Sequence, residues 1–341
     1  MRGVPLVHAS ALAPTVRFLT EIGTPVKSLL ARVGLPVAAL TEPDALIPMH
    51  QVCLLVETAA HAERLEHLGF LIGQRTPFSA MGSFGRLVAQ CFSLHEALHT
   101  AVRIVSAYTS DGRLRLTVDG ERIWVQHALD RRLECGWREV EQFTVMLVIQ
   151  LVRLTSHRTW RPREVRLRIP PDAGLNRIEP LADARFSFGH AFTSIEIPRA
   201  LLREPLVGID PSDLTSERLE QDLHRTAPAA DFSSSVRQVV GTFLRDGYPS
   251  VQQVAGSIGT SVRTLQRWLT ESGVSYSRIV EEERIRLATE LLTQTRLRFT
   301  DVAMELGYAD LAPFTHAFRR WTGLSPSEYR RHEIGPERRT S

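Results

Sequence analysis

The apolar positions of the 341-residue chain change period along its length, and the changes mark where helices give way to strands. Thr24 and Pro25 read as the N-cap and first position of a helix that ends near Gly34. Val52, Leu55, Val56 and Ala59 share one face of a helix predicted from Pro48 to about Ala60. Phe84, Leu87, Val88 and Cys91 mark another. Ser93, with Glu96 three residues on, is a capping box for a helix carrying Leu98, Val102 and Val105. From Arg113 to Val118 the pattern alternates, Asp119-Gly120 supplies a two-residue turn, and Ile123, Val125 and His127 return as the second arm of a hairpin. A long helix is predicted over Glu134–Arg153. Alternation at Val165, Leu167 and Ile169, at Phe186–Phe188 and at Ser194–Ile197 predicts three further strands.

Residues 206–231 carry Pro, Asp, Ser and Ala without a sustained period, which reads as a short helix plus linker. From Ser233 onward every strong segment is helical. The expected fold is therefore multidomain. An α+β sensor domain fills residues 1–205 and a linker spans 206–231. An all-α domain over 232–332 then carries two helix-turn-helix motifs joined by a long helix, and a disordered tail covers 333–341.

In the first motif, Ser250 and Gln253 form a capping box for a short helix, Gly259 makes the turn, and Ser261 caps the second helix. There Val262, Leu265, Trp268 and Leu269 face inward, and Arg263, Gln266, Arg267 and Thr270 face outward. Arginine can meet guanine, and glutamine adenine, through two hydrogen bonds in the major groove, so the outward set is a candidate DNA-binding face. In the second motif a short helix starts at Thr300, Gly307 makes the turn and Asp310 caps the next helix. Phe314, Ala317, Phe318 and Trp321 face inward, with Ala312, Thr315, His316, Arg319 and Arg320 outward. Ser325 and Glu328 form another capping box, with Pro326 at the first helical position. Between the motifs, eighteen residues from Tyr276 to Thr293 make a helix of about 27 Å at ~1.5 Å per residue. That length can hold two recognition helices about one DNA turn apart, ~34 Å, on one face of a duplex. A glycine between two short helices is also common in helical bundles, so a helical interaction module is the alternative. Two capped units and a matched spacer favour double-stranded DNA.

Charge sharpens this reading. Residues 232–341 hold 15 arginines against 12 acidic side chains, whereas residues 1–231 are balanced at 26 and 26. The whole basic excess lies with the two motifs. No apolar run approaches the ~18 residues of a membrane span. The N-terminus also lacks a signal peptide's layout, so a cytoplasmic protein is expected. Cys53, Cys91 and Cys135 have no metal-ligand spacing, and neither a metal nor a cofactor is expected. No Gly-x-Ser-x-Gly, phosphate-binding loop or His-Glu-x-x-His is present, which argues against an enzyme. An enzyme fused to a DNA-binding module is the rival class. His50, His61, His67, His95, His99 and His127 read as surface or satisfied histidines rather than ligands.

Two features of the first domain bear on effectors and partners. Arg153, Arg158, Arg166 and Arg168 lie in an arginine-rich stretch. It reads either as a solvated helix end followed by the polar face of a strand, or as a site for an anionic small-molecule effector. The helix over Glu134–Arg153 is apolar nearly all round, so it needs cover on both sides. Neighbouring helices can supply that cover, or a second copy of the chain can; the expectation leans to a homodimer.

From Asp301 to Tyr308 and from Phe314 to Arg330 the sequence is close to the signature of the AraC/XylS transcriptional regulators. The resemblance covers about residues 232–332. It implies a monomeric bacterial DNA-binding module whose helices around Arg263–Thr270 and Leu311–Arg320 enter successive major grooves. For an activator it also implies RNA polymerase as a partner. Similar proteins often place polar residues where this chain has Leu311, Ala312 and Pro313. The second motif is thus expected to read few bases and mostly to clamp phosphates through Thr315, Arg319 and Arg320. Ile47-Pro48, His67–Gly73, Gly82–Gly85 and Ser93–Leu98 resemble the non-cupin, arabinose-binding-like sensor domain of ornithine-utilisation-type regulators. That resemblance implies effector sensing or dimerisation without naming the effector.

Overall fold

The computed structural model of the chain describes residues 2–129, 135–172, 174–207 and 216–334. Two compact units emerge: Pro5–Leu35 with Ala39–Pro228, and Ala229–Ser341 with Met1–Val4 and Pro36–Ala38. Part of the expected linker (208–215) and the tail beyond residue 334 lie outside the described residues. No described helix is long and apolar enough to cross a membrane.

The first unit is α+β. Strands β1 (Leu6–His8) and β2 (Leu46–Pro48) pair antiparallel. Helices α1 (Ala13–Glu21), α2 (Val26–Val33), α3 (Ala38–Thr41), α4 (Met49–Glu63), α5 (Leu68–Gln74), α6 (Gly82–Ala89) and α7 (Leu94–Tyr108) lead to a five-stranded sheet. Its order is β3-β4-β7-β5-β6, from β3 (Arg113–Asp119), β4 (Arg122–Ala128), β5 (Glu164–Arg166), β6 (Arg185–Ser187) and β7 (Thr193–Pro198). Only β5 and β6 run parallel. Helix α8 (Trp137–Arg153) lies between α4 and α5 and the sheet, and α9 (Ser216–Arg225) buries Leu219 and Leu223 in the same core.

Local details refine the expected elements. Asp119 pairs with Arg122, so the hairpin loop is Gly120-Glu121, one residue later than expected, with Gly120 at φ 57°. Pro25 is the N-cap of α2 rather than its first residue. Ser93 caps α7 by accepting the Glu96 N–H at 3.2 Å, but the Glu96 carboxylate reaches back one residue further, to the Phe92 N–H at 2.9 Å. Gly136 caps α8, so this helix starts after the expected Glu134, which lies outside the described residues.

The apolar surplus of α8 is covered within the unit, which removes that argument for a partner chain. Gly69 and Gly73 let α5 approach closely. A β-carbon at Gly69 would sit 1.9 Å from the Glu139 carbonyl oxygen, and one at Gly73 2.4 Å from the Met146 β-carbon. Val145, Met146, Ile149 and Val152 are buried as a result.

The described elements of the second unit, apart from the start of α3, are helices: α10 (Phe232–Leu244), α11 (Val251–Ser257), α12 (Val262–Glu271), α13 (Tyr276–Gln294), α14 (Phe299–Glu305), α15 (Leu311–Thr322) and α16 (Pro326–Ile334). Helices α10 and α13 pack together as its spine. Val236, Val239 and Val240 of α10 and Ile279, Leu287 and Leu292 of α13 supply the core, while Ile285 and Leu291 are only half-buried.

Candidate nucleic-acid interface

Helix α12 takes its orientation from its caps and its apolar face. The α11 box is reciprocal: Ser250 Oγ accepts the Gln253 N–H at 3.2 Å, and Gln253 Oε1 accepts the Ser250 N–H at 2.8 Å. Gly259 turns the chain at φ 70°, and Ser261 Oγ accepts the Thr264 N–H at 3.2 Å. Leu265 and Leu269 are buried, and the half-buried Trp268 meets the Phe232 ring edge-on at 5.3 Å. This leaves Arg263, Gln266, Arg267 and Thr270 exposed on one side. Arg263 has no acidic partner among the described residues, and Arg267 lies 3.8 Å from Glu271, one turn along the helix.

Helix α15 is anchored more deeply and presents a more neutral face. Gly307 turns the chain at φ 76°. Phe314 and Phe318 are fully buried in a run of rings from Tyr308 to Tyr329, with centroids 5.3–5.7 Å apart. Asp310 occupies the N-cap position, but its side chain accepts no capping hydrogen bond, contrary to expectation. Ala312, His316, Arg319 and Arg320 are exposed. Thr315 is half-buried, and its hydroxyl donates to the Leu311 carbonyl at 2.9 Å. Arg319 stands 3.8 Å from Glu328, and Arg320 donates to Glu281 at 3.1 Å. Trp321, expected to face inward, is half-buried and donates its indole N–H to the same Glu281 oxygen at 2.9 Å. Hydrogen bonds from Ser325, with the nearby Arg319 charge, hold the Glu328 carboxyl below its ordinary value, so it stays an anion beside Arg319.

Two other arginines of this unit are structural. Arg284 donates to the Leu306 carbonyl at 2.9 Å and stacks 4.4 Å from the Tyr308 ring, tying α13 to the second turn. Arg330 donates to the carbonyls of Leu292 at 3.0 Å and Leu297 at 2.9 Å, and sits 4.4 Å over Phe299. Neither role had a local sequence signal, because the partners are carbonyls and rings distant in the chain.

In the first unit the four candidate effector arginines are not gathered into one site. Arg153 donates to the Trp160 carbonyl at 2.9 Å and lies 3.6 Å from Glu179. Arg158 is exposed. Arg166 stacks 3.8 Å over Trp124 and pairs with Glu164 at 3.1 Å. Arg168 is held by Glu141 at 2.6 Å. Three of the four thus have carboxylate neighbours already. The same unit contains an apolar cavity of about 140 Å³ between α4, α7, α8 and one face of the sheet. Val52, Leu98, Val105, Val125 and Leu147 are among its walls.

Comparison with known proteins decides the family. The N-terminal arabinose-binding domain of AraC transcription regulators matches residues 23–206, more than half of the chain, and a helix-turn-helix domain matches residues 254–332. The chain belongs to the AraC family of transcription regulators. An uncharacterized HTH-type transcriptional regulator of Mycobacterium tuberculosis is 28% identical over 326 residues, covering 91% of this chain and 92% of the relative. The ornithine utilization regulator of Pseudomonas aeruginosa is 25% identical over 330 residues, covering 96% of each. Among solved structures, the transcriptional regulator CdpR of Pseudomonas aeruginosa is 22% identical, with a TM-score of 0.35 over 90% of this chain and 96% of that one. In this AraC-family chain DNA binding belongs to the helix-turn-helix domain, and the first unit is the family's ligand-binding type of domain.

Proposed function

We propose that this regulator reads DNA sequence mainly through α12, and that α15 contributes mostly backbone contacts. Arg263, Gln266, Arg267 and Thr270 supply the base-reading face, with Ala312, Thr315, His316, Arg319 and Arg320 lying along the second groove. The observation that carries this reading is that α12 exposes Arg263 with no acidic partner among the described residues, though Arg267 faces Glu271, whereas both Arg319 and Arg320 of α15 stand beside carboxylates. A free guanidinium can form the two-bond contact to guanine, whereas a guanidinium shared with a carboxylate contributes a weaker, phosphate-directed charge. Selection of bound sequences from a random DNA pool by the full-length protein tests it. A sharply defined half-site beside a degenerate one is expected; two equally sharp half-sites would overturn the division of labour.

In this reading the first unit senses a small molecule, and the apolar cavity supports that role better than the dispersed arginines do. The expected anion site at Arg153, Arg158, Arg166 and Arg168 is a weaker proposal, because Glu179, Glu164 and Glu141 already neutralise three of its members. A homodimer also stays a proposal, now without α8 behind it. Mass measurement of the full-length protein at micromolar concentration, with and without DNA, tests it; a monomer in both conditions rejects it.

A further inference from the structure

Among its mostly apolar walls, the cavity of the first unit holds a histidine backed by a buried carboxylate. His127 is paired with Leu114 across the hairpin and shares its face of β4 with Val125; all three line the cavity. Its Nδ1 lies 3.3 Å from Glu141 Oε2, on a carboxylate that is almost completely buried. Glu141 Oε1 accepts from Arg168 at 2.6 Å and from the Leu129 N–H at 3.1 Å. Burial alone would raise the Glu141 carboxyl, but its pairing with His127 and Arg168 outweighs that and brings it down to about 2. An ionised carboxylate can only accept, so the proton between the two groups sits on His127 Nδ1.

The other ring nitrogen then becomes the informative atom. With Nδ1 engaged by Glu141, Nε2 is the ring nitrogen left to bond a guest. That Nε2 lies on the side of Gly112, a second wall residue whose β-carbon, were there one, would stand 3.9 Å away. No hydrogen bond engages it among the described residues. His127 is 9% exposed, so only an edge of the ring is reached from outside. Among the described residues no lysine or arginine lines the cavity, and Glu139 does, which disfavours an anionic guest.

We propose that this cavity binds a small, uncharged, largely apolar molecule carrying one hydroxyl, which it presents to Nε2 of His127. Glu141 and Arg168 are positioning residues that fix the imidazole by its Nδ1 edge. An apolar cavity of this size is large enough for a single six-membered ring, by analogy with engineered cavities of about 150 Å³ that bind benzene. The inference rests on the reading of the first unit as a small-molecule sensor and adds the chemical class that it accepts.

Two probes of nearly equal size test it on the full-length protein: phenol, which offers the hydroxyl, and toluene, which does not. Titration calorimetry should show both binding, with phenol about tenfold tighter, the ratio expected for one buried hydrogen bond. His127→Leu should erase that preference while leaving toluene binding in place, and Ala101→Phe, which fills the cavity, should abolish both. Equal affinities for the two probes in the unaltered protein, or no binding of either, would overturn the proposal whether or not the His127 variant folds. DNA affinity, measured with and without saturating phenol on a fragment selected by the full-length protein, is read separately. Phenol-selective binding that leaves DNA affinity unchanged would uphold the cavity chemistry and reject the sensor role.

Discussion

Helices α12 and α15 follow the same local plan, a short helix, a left-handed glycine and a second helix, yet they offer DNA different surfaces. Ser261 caps α12 with a side-chain hydrogen bond, and Asp310 makes no such bond at the start of α15. The inner face of α12 is completed by a half-buried Trp268, whereas α15 buries two phenylalanines completely. Arg263 points outward with no acidic partner among the described residues, and Arg319 and Arg320 are matched by Glu328 and Glu281. The difference teaches that a recognition helix is defined as much by the residues brought beside it as by its own outward positions. An exposed ion pair is worth only about 0–1 kcal/mol, so α15 can still release its arginines to phosphates. It does so at reduced gain, as does Arg267 beside Glu271, while Arg263 enters the groove uncommitted.

The largest effect expected from breaking this comparison is on the core. Phe318→Ala should cost about 3–5 kcal/mol, close to the whole stability of a small domain, so the second unit should lose helical signal and DNA binding together. Trp268→Ala, at a half-exposed site, should cost clearly less in urea denaturation. If Phe318→Ala left the fold intact and removed only DNA binding, Phe318 would have to be reassigned as a contact residue.

Next in size are the base contacts. Arg263→Ala and Arg267→Ala should each weaken binding to the selected site by about 1–3 kcal/mol and relax preference at one or two base pairs. Arg319→Ala should weaken all sequences alike. These profiles come from repeating the sequence selection with each variant. An unchanged profile for both α12 variants would sink the assignment of the first motif as the reader.

The caps give a smaller contrast. Ser261→Ala should lower stability by about 1 kcal/mol, and Asp310→Ala by no more than about a few tenths, because only the serine side chain holds a backbone N–H. Equal losses in thermal unfolding would mean that Asp310 caps α15 in solution. The smallest effect is expected from Glu281→Gln, which keeps an acceptor for the Trp321 indole but removes the charge facing Arg320. DNA affinity should rise slightly, and its log–log salt slope should steepen by about one as Arg320 becomes a full phosphate contact. An unchanged slope would show that Glu281 does not restrain Arg320.

Most of the second unit was legible because its signals are local. A serine three residues before a glutamine, a glycine after a short helix and an apolar stripe at helical spacing each act within one or two turns of chain. The same reasoning located the hairpin, although the turn fell one residue later, since the Asp119–Arg122 pair extends the ladder past the point that propensity suggested. The second DNA-facing surface was less legible. Leu311, Ala312 and Pro313 already hinted at weak base reading, but Glu281 stands far back in the chain and nothing near it announces Arg320 or Trp321 as its partners.

For the first unit the sequence by itself determined α2, α4, α6, α7, the hairpin and α8, because periodicity and turn chemistry are properties of consecutive residues, but it gave no period for β1, β2, α1 or α5. It left open whether a second chain was needed to cover α8; only the tertiary structure decided that α4, α5 and the sheet do so, through the close approach that Gly69 and Gly73 allow. The arginine-rich stretch from Arg153 to Arg168 looked like one cluster in the chain. Folding distributes it, since strand and helix geometry send Arg166 onto Trp124 and Arg168 onto Glu141. His127 looked like any other histidine, and its second ring nitrogen has meaning only where a buried carboxylate fixes the ring on one side and an apolar cavity opens on the other. Hydrogen bonding and burial depend on what is near in space, and that is information a linear pattern does not carry.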